Sequence, residues 1–189
     1  GIRFTVKRYP WARALSHMEI GQVDIMVGLA RTPEREQFID YLLPSYYQCK
    51  PAFYTQKNIL KPIERYADLQ LYRIGYVLDS AYFEPFDSDA SLKKHGVPTE
   101  IQLLKMAKKG HLAAFIGTDC QVEYEIMKRG LWGILNKATY QPEQSIALFM
   151  GISKRSSHRQ LATQIEQALH ELLLSDEFEQ IKSRYFQSN

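Results

Sequence analysis

Long hydrophobic runs are missing from this chain of 189 residues. No uninterrupted apolar stretch is longer than Leu112–Ile116, far short of the ~20 residues a membrane-spanning helix needs, so no insertion into a membrane is expected. Cysteine is almost absent. Cys49 and Cys120 lie far apart and outside any C-x-x-C or Cys/His ligand spacing, so both read as small, buried, unpaired residues, with no zinc site or disulfide framework expected. With only 8 Pro and 10 Gly against 45% hydrophobic and 12% aromatic content, low-complexity disorder is excluded. Neither sign of charge dominates: 24 Lys plus Arg against 21 Asp plus Glu leave a net charge of +3. The basic residues, among them Lys7, Arg8, Arg65, Lys93, Lys94, Lys128 and Arg129, are scattered among carboxylates, so no nucleic-acid partner is expected. No basic-then-apolar leader opens the sequence, which fits a cytoplasmic protein or a mature or trimmed extracytoplasmic one. Nor is there a G-x-S-x-G, H-E-x-x-H or P-loop pattern, and His17, His95, His111, His158 and His170 lack ligand spacing. No catalytic residue, metal ligand or cofactor is expected.

What is present is an alternation of strand and helix patterns in a length that suits one domain or two compact lobes. Ile2–Val6 alternates as a half-buried strand does. Trp11, Ala14, Leu15 and Met18 mark a helix stopped by Gly21, and Val23–Leu29 reads as a buried strand. Strand, helix and strand joined in this way imply a parallel βαβ unit. An extended aromatic run follows at Pro44–Tyr54, and the polar stretch Gln56–Pro62 reads as a boundary. Beyond it the pattern gives a strand at Arg73–Leu78, a helix start at Ser80–Phe86 and a helix at Glu100–Lys109. A strand at Leu112–Ile116, a helix at Thr118–Arg129, an extended Leu131–Ala138 and a strand at Ser145–Ile152 complete this part. Leu161, Ile165, Ala168, Leu169, Leu172 and Leu173 then form one apolar helix face, with Ser156 or Ser157 as its cap. Ser175 is placed to cap a last helix whose inward residues are Phe178, Ile181 and Tyr185.

The ordered succession Trp11-Ala-Arg-Ala-Leu15, Gly21-Gln-Val-Asp-Ile-Met-Val-Gly28, Thr32-Pro-Glu-Arg35, Pro44-Ser-Tyr-Tyr47, Arg73-Ile-Gly75, Gly110-His-Leu-Ala-Ala-Phe115 and Phe178–Phe186 resembles the extracellular solute-binding proteins of the polar amino-acid transporter family. The resemblance covers nearly the whole chain. It implies an α/β fold of two lobes, the type 2 periplasmic-binding fold, with two hinge crossings and a ligand clamped in the cleft. Lobe one would comprise residues 1–54 plus 150–189, lobe two residues 58–146, and the hinges would lie near 54–57 and 147–151. The family opens with a strand and a helix that have no counterpart here, about 25–40 residues at typical element lengths, leaving lobe one N-terminally incomplete. The implied function is extracytoplasmic binding of a small polar solute, an amino acid or related carboxylate, for delivery to the membrane permease of an ABC transporter. The ligand-binding sensory domain of a membrane signalling receptor is the alternative.

The resemblance also implies a set of ligand-binding residues. Arg35 matches the arginine that holds a carboxylate, a task for which the rigid guanidinium fork is suited; the plain alternative is a solvated charged turn with Arg31, Glu34 and Glu36. Gly28, Leu29 and Ala30 end the strand before it, and Trp11 matches an aromatic that packs over the ligand or else lies in the core. Ser80 and Ala81 occupy an anion-binding turn, in which Asp79 departs from the family pattern. Thr118 falls where the family has the acid that pairs with a ligand ammonium, and Asp119 comes one residue later, either as that acid or as a helix cap.

Overall fold

The computed structural model describes residues 2–186, and the side chains up to residue 184. Its elements are α1 (Trp11–Glu19), β1 (Ile25–Ala30), α2 (Pro33–Glu36), β2 (Ile39–Cys49), β3 (Pro51–Gln56), β4 (Arg73–Val77), β5 (Lys93–Val97), α3 (Glu100–Lys108), β6 (Ala114–Thr118), α4 (Asp119–Lys128), β7 (Leu135–Lys137), β8 (Ile146–Ser153), α5 (Ala162–Leu173) and α6 (Asp176–Phe186). They form two sheets, one of three strands in the order β1-β8-β2 and one of five in the order β5-β4-β6-β3-β7.

Period-two alternation makes the five-stranded sheet a double-faced core. Tyr54, Val77 and Phe115 face α3 and α4, whereas Phe53, Ile74, Ala114 and Ile116 face a second cluster that contains Tyr82, Phe83 and Phe86. Fully burying one such aromatic or branched side chain contributes about 1.5–3 kcal/mol, so these two layers dominate the stability of this half. α3 approaches the sheet closely at Gly75, where a Cβ would meet Leu112 Cδ1 at 2.6 Å and Leu103 Cδ2 at 2.8 Å. The strands β5, β4 and β6 run parallel, with α3 as the β5-to-β6 crossover, while β3 is antiparallel to both β6 and β7.

In the three-stranded sheet β8 is central and antiparallel to both neighbours. Leu29 and Ile39 pack with Leu15 and Met18 of α1, and Leu42 and Ile152 pack with Ile165 of α5. The parallel βαβ unit expected at the start does not form. Residues 2–10 are not a strand, and Phe4 and Val6 are 59% and 86% exposed. An alternating pattern becomes a strand only where a neighbour supplies hydrogen bonds, and no described strand pairs with this segment.

Other differences are also local. Ser80–Phe86 is not helical; its aromatic side chains turn into the core and the Tyr82 N–H donates to the Asp87 carboxylate at 2.8 Å, so a side chain replaces a helical carbonyl. The polar β5 was not expected, because only Val97 of Lys93–Val97 is buried. Neither α5 nor α6 uses the expected serine in the expected way. The Ser156 hydroxyl accepts from His158 N and donates to Asp24, and the Ser175 hydroxyl turns back to the Leu172 carbonyl. Tyr185 falls outside the described side chains.

The chain passes between sheets earlier than the composition suggested. It leaves β2 at Cys49 and enters β3 at Pro51, then returns between β7 and β8 through residues 138–145. Residues 54–56 therefore belong to the five-stranded sheet and 147–151 to the three-stranded one. The polar stretch after Gln56 marks a surface turn rather than a passage between sheets. At the first crossing Cys49 and Cys120 form a disulfide, with Cα atoms 5.7 Å apart, which corrects their reading as unpaired. The pairing of Pro51 with Thr118 brings the end of β2 beside the start of α4, a proximity that separation along the sequence conceals.

Candidate functional site

Arg35 is positioned by a short local device. β1 ends at Ala30, Thr32 adopts an extended conformation and accepts a hydrogen bond from Arg35 N at 3.3 Å, and Pro33 opens the four-residue helix α2. The arginine then points inward and is only 6% exposed. One terminal nitrogen donates to the Ala30 carbonyl at 2.8 Å and the other to the Asp79 carbonyl at 2.7 Å, so the guanidinium joins the three-stranded sheet to the loop after β4. Ala30 O also accepts from the Tyr41 hydroxyl at 3.0 Å. Burial pulls the guanidinium below its ordinary pKa, opposed by Tyr41, Asp79, Asp87 and Glu34. A guanidinium starts so high that it keeps its charge.

Trp11 completes the junction. Its indole N–H donates to the same Asp79 carbonyl at 3.2 Å, and the Arg35 guanidinium lies 5.6 Å from its ring centroid. The ring packs against the apolar clusters of both sheets. Asp79 aims its carbonyl from a left-handed backbone with φ 58°, a conformation that Asp tolerates better than most residues.

Beside this junction lies a cleft of about 390 Å³ whose walls include Glu19, Glu34 and Arg35 on one side and Asp79, Ser80 and Ala81 on the other. Glu34 is held below the usual carboxylate range chiefly by its backbone N–H and then by the Thr32 hydroxyl. A buried cation beside a rim of carboxylates is suited to a solute that carries both signs of charge.

Of the residues singled out from the sequence, Arg35, Trp11, Ala30, Ser80 and Ala81 are brought together here. Gly28 (φ +79°) lies just behind, and a Cβ there would come to 4.0 Å from the Tyr46 hydroxyl. Leu29 is fully buried beneath α1 and faces the core rather than the cleft. Thr118 and Asp119 lie at the first crossing and do not line the cleft. The Asp119 carboxylate accepts from Lys50 N at 2.8 Å and Cys120 N at 2.7 Å, so its charge is engaged by backbone donors. Its sulfur neighbours are joined in the disulfide, so the cluster of Cys49, Asp119 and Cys120 is not a ready metal site. The sequence reading missed the Asp79 carbonyl and Tyr41. A backbone acceptor leaves no signal in a sequence, whereas Tyr41, aromatic and shortly after the arginine, could have been found.

Two sheets linked by two crossings, with a charged cleft at their junction, define the type 2 periplasmic-binding fold. The chain belongs to the bacterial extracellular solute-binding proteins, family 3, which it matches over residues 1–188. The solved structure of AbpA from Streptococcus pneumoniae, an amino acid ABC transporter substrate-binding protein bound to L-arginine, is similar with a TM-score of 0.83 and 19% identity, over 99% of this chain and 78% of that one. A mutant of ArgBP from T. maritima gives 0.83 and 15% identity over 97% and 77%. A histidine kinase sensor domain with similarity to periplasmic binding proteins gives 0.80 and 16% identity over 94% and 76%. No curated protein sequence matches significantly. Among the described residues no helix is long and apolar enough to cross a membrane.

Proposed function

We propose that this chain binds an amino acid outside the cytoplasm, in the cleft beside Arg35, and presents it to the permease of an ABC transporter. The observation that carries this reading is a buried guanidinium that reaches both sides of the cleft through carbonyl contacts and still has three N–H donors beyond those two. An α-carboxylate is the complementary anion, competing with the Asp79 carbonyl for the fork. Glu19, Glu34 and Asp79 would then meet an ammonium or a cationic side chain, which supports a basic amino acid over an acidic one. The arginine-bound AbpA is consistent with this choice. Binding and release, rather than chemical turnover, are the proposed task.

A sensory role has one specific support, the likeness to a kinase sensor domain, and it would use the same cleft. The two readings differ in what the bound state contacts, a permease or a signalling module. The solute is tested by a thermal-shift screen of amino acids, small carboxylates and amines. At 100 times its dissociation constant a ligand adds about 2.7 kcal/mol of stability. Arginine or lysine should raise the midpoint, and a response restricted to dicarboxylates would overturn the assignment.

A further inference from the structure

We propose that the Cys49–Cys120 disulfide is a reducible pin in the hinge, which limits how far the two sheets separate and thereby sets how tightly the cleft holds its solute. The inference rests on the proposed binding role but on different residues. Cys49 is the last residue of β2 in the three-stranded sheet, and Cys120 lies in the first turn of α4 on the five-stranded sheet, so the bond is a covalent link between the two halves. Cys49 is also paired with Ile146, the first residue of β8, where the chain returns from the second crossing. Both backbone crossings and the disulfide are thus gathered in one small region.

Two backbone crossings define an axis about which two bodies rotate. A third link that lies off both strands restricts that rotation, because Cys120 belongs to a helix start and not to either crossing segment. Without the bond, the halves are held here by Lys50 N donating to Asp119, at 2.8 Å, and Asp119 N donating to the Lys50 carbonyl, at 2.9 Å. These bonds exchange with water as the region opens, which a covalent bond does not.

Cys49 is 2% exposed, whereas Cys120 is only half-buried, so Cys120 is the side from which the proposed dithiol attack comes. The S–S bond breaks, Cys49 leaves as a thiolate and takes a proton, and a mixed disulfide joins the reductant to Cys120. The second thiol of the reductant then displaces Cys120 as a thiol, leaving the reductant as its disulfide, with two electrons transferred. The wider ensemble that results has more freedom to lose on closing, which lowers affinity.

The experiment uses the full chain labelled through unnatural amino acids at the exposed positions Leu60 and Leu174, one in each half, and reads their distance by single-molecule energy transfer. Distances are measured for the oxidised protein, for protein treated with a dithiol, and for the Cys49→Ser/Cys120→Ser variant, all without solute. L-arginine is then titrated into each. The expected result is a narrow distribution when oxidised, a broader one shifted to longer distance in the dithiol-treated protein and in the serine variant, reversal on reoxidation for the dithiol-treated protein alone, and L-arginine binding weakened about 3- to 10-fold in both. Identical distributions with only a lowered melting midpoint would reduce the bond to a structural staple and overturn the proposal, as would loss of the fold on reduction or free thiols in the oxidised protein. If L-arginine binds none of the forms, the proposed solute fails, while the distance distributions still decide the pin.

Discussion

Arg35 holds two carbonyls, one at the end of β1 and one in the loop after β4, and that geometry changes what its removal should do. As a surface charge it would be silent, but with the side chain buried and donating to Ala30 and Asp79, Arg35→Ala should also lower stability by about 1–3 kcal/mol through unpaired acceptors. Urea unfolding of the variant measures this. Arg31, which pairs with Glu36 and has a side chain 55% exposed, should change stability by less than about 0.5 kcal/mol when replaced by Ala. Glu100 gives a pH-dependent case. Burial, reinforced by Glu125, holds its carboxyl above the ordinary value, so its charged form is disfavoured by folding. Its unfavourable contribution is present above its folded pKa and disappears as pH falls below the unfolded value. Glu100→Gln should therefore raise the urea midpoint at pH 7, and the gain should vanish near pH 3; a gain that persists at low pH would mean that charge is not its cause. The arginine was singled out in the sequence through the family resemblance carried by Thr32-Pro-Glu-Arg35 after a buried strand, since the residues alone read equally as a charged surface turn. Its partner was not, because Asp79 acts through its backbone.

At the scale of elements, the parts that read well are those whose pattern carries its own partner. The apolar face of α5 and the runs that become β6 and β8 bury themselves wherever the chain goes, and all were recognisable. Ile2–Val6 and Ser80–Phe86 show the reverse, since one needs a neighbouring strand and the other is held by aromatic burial and the Asp87 carboxylate. The disulfide was invisible for a related reason: it depends on β3 pairing with β6, a contact between distant segments. Its stabilising effect is large. Closing a loop of 71 residues between Cys49 and Cys120 removes chain entropy worth about 4 kcal/mol in the unfolded state. Chemical denaturation with and without a dithiol should differ by roughly that amount, and a difference below about 1 kcal/mol would mean that the bond is strained or unformed.

At the scale of the whole molecule, the two sheets are unequal in their dependence on sequence order. The five-stranded sheet is built from one continuous stretch, Pro51–Lys137, whereas the three-stranded sheet has β8 at its centre and takes α5 as cover from beyond the second crossing. Removing residues from 156 onward exposes Leu42 and Ile152, so it should abolish cooperative unfolding of the first half, as followed by Trp11 fluorescence. That two-crossing layout is also what places Arg35 and Trp11 opposite Asp79. The central question is therefore whether this junction captures a solute. The most direct measurement is calorimetric titration of L-arginine into the oxidised wild-type chain, Arg35→Ala and Arg31→Ala, each first shown to be folded. The expected result is binding to the wild type, a loss of about 2–5 kcal/mol for Arg35→Ala and nearly unchanged affinity for Arg31→Ala. Equal and small losses for both variants would contradict it and place the bound solute away from the cleft.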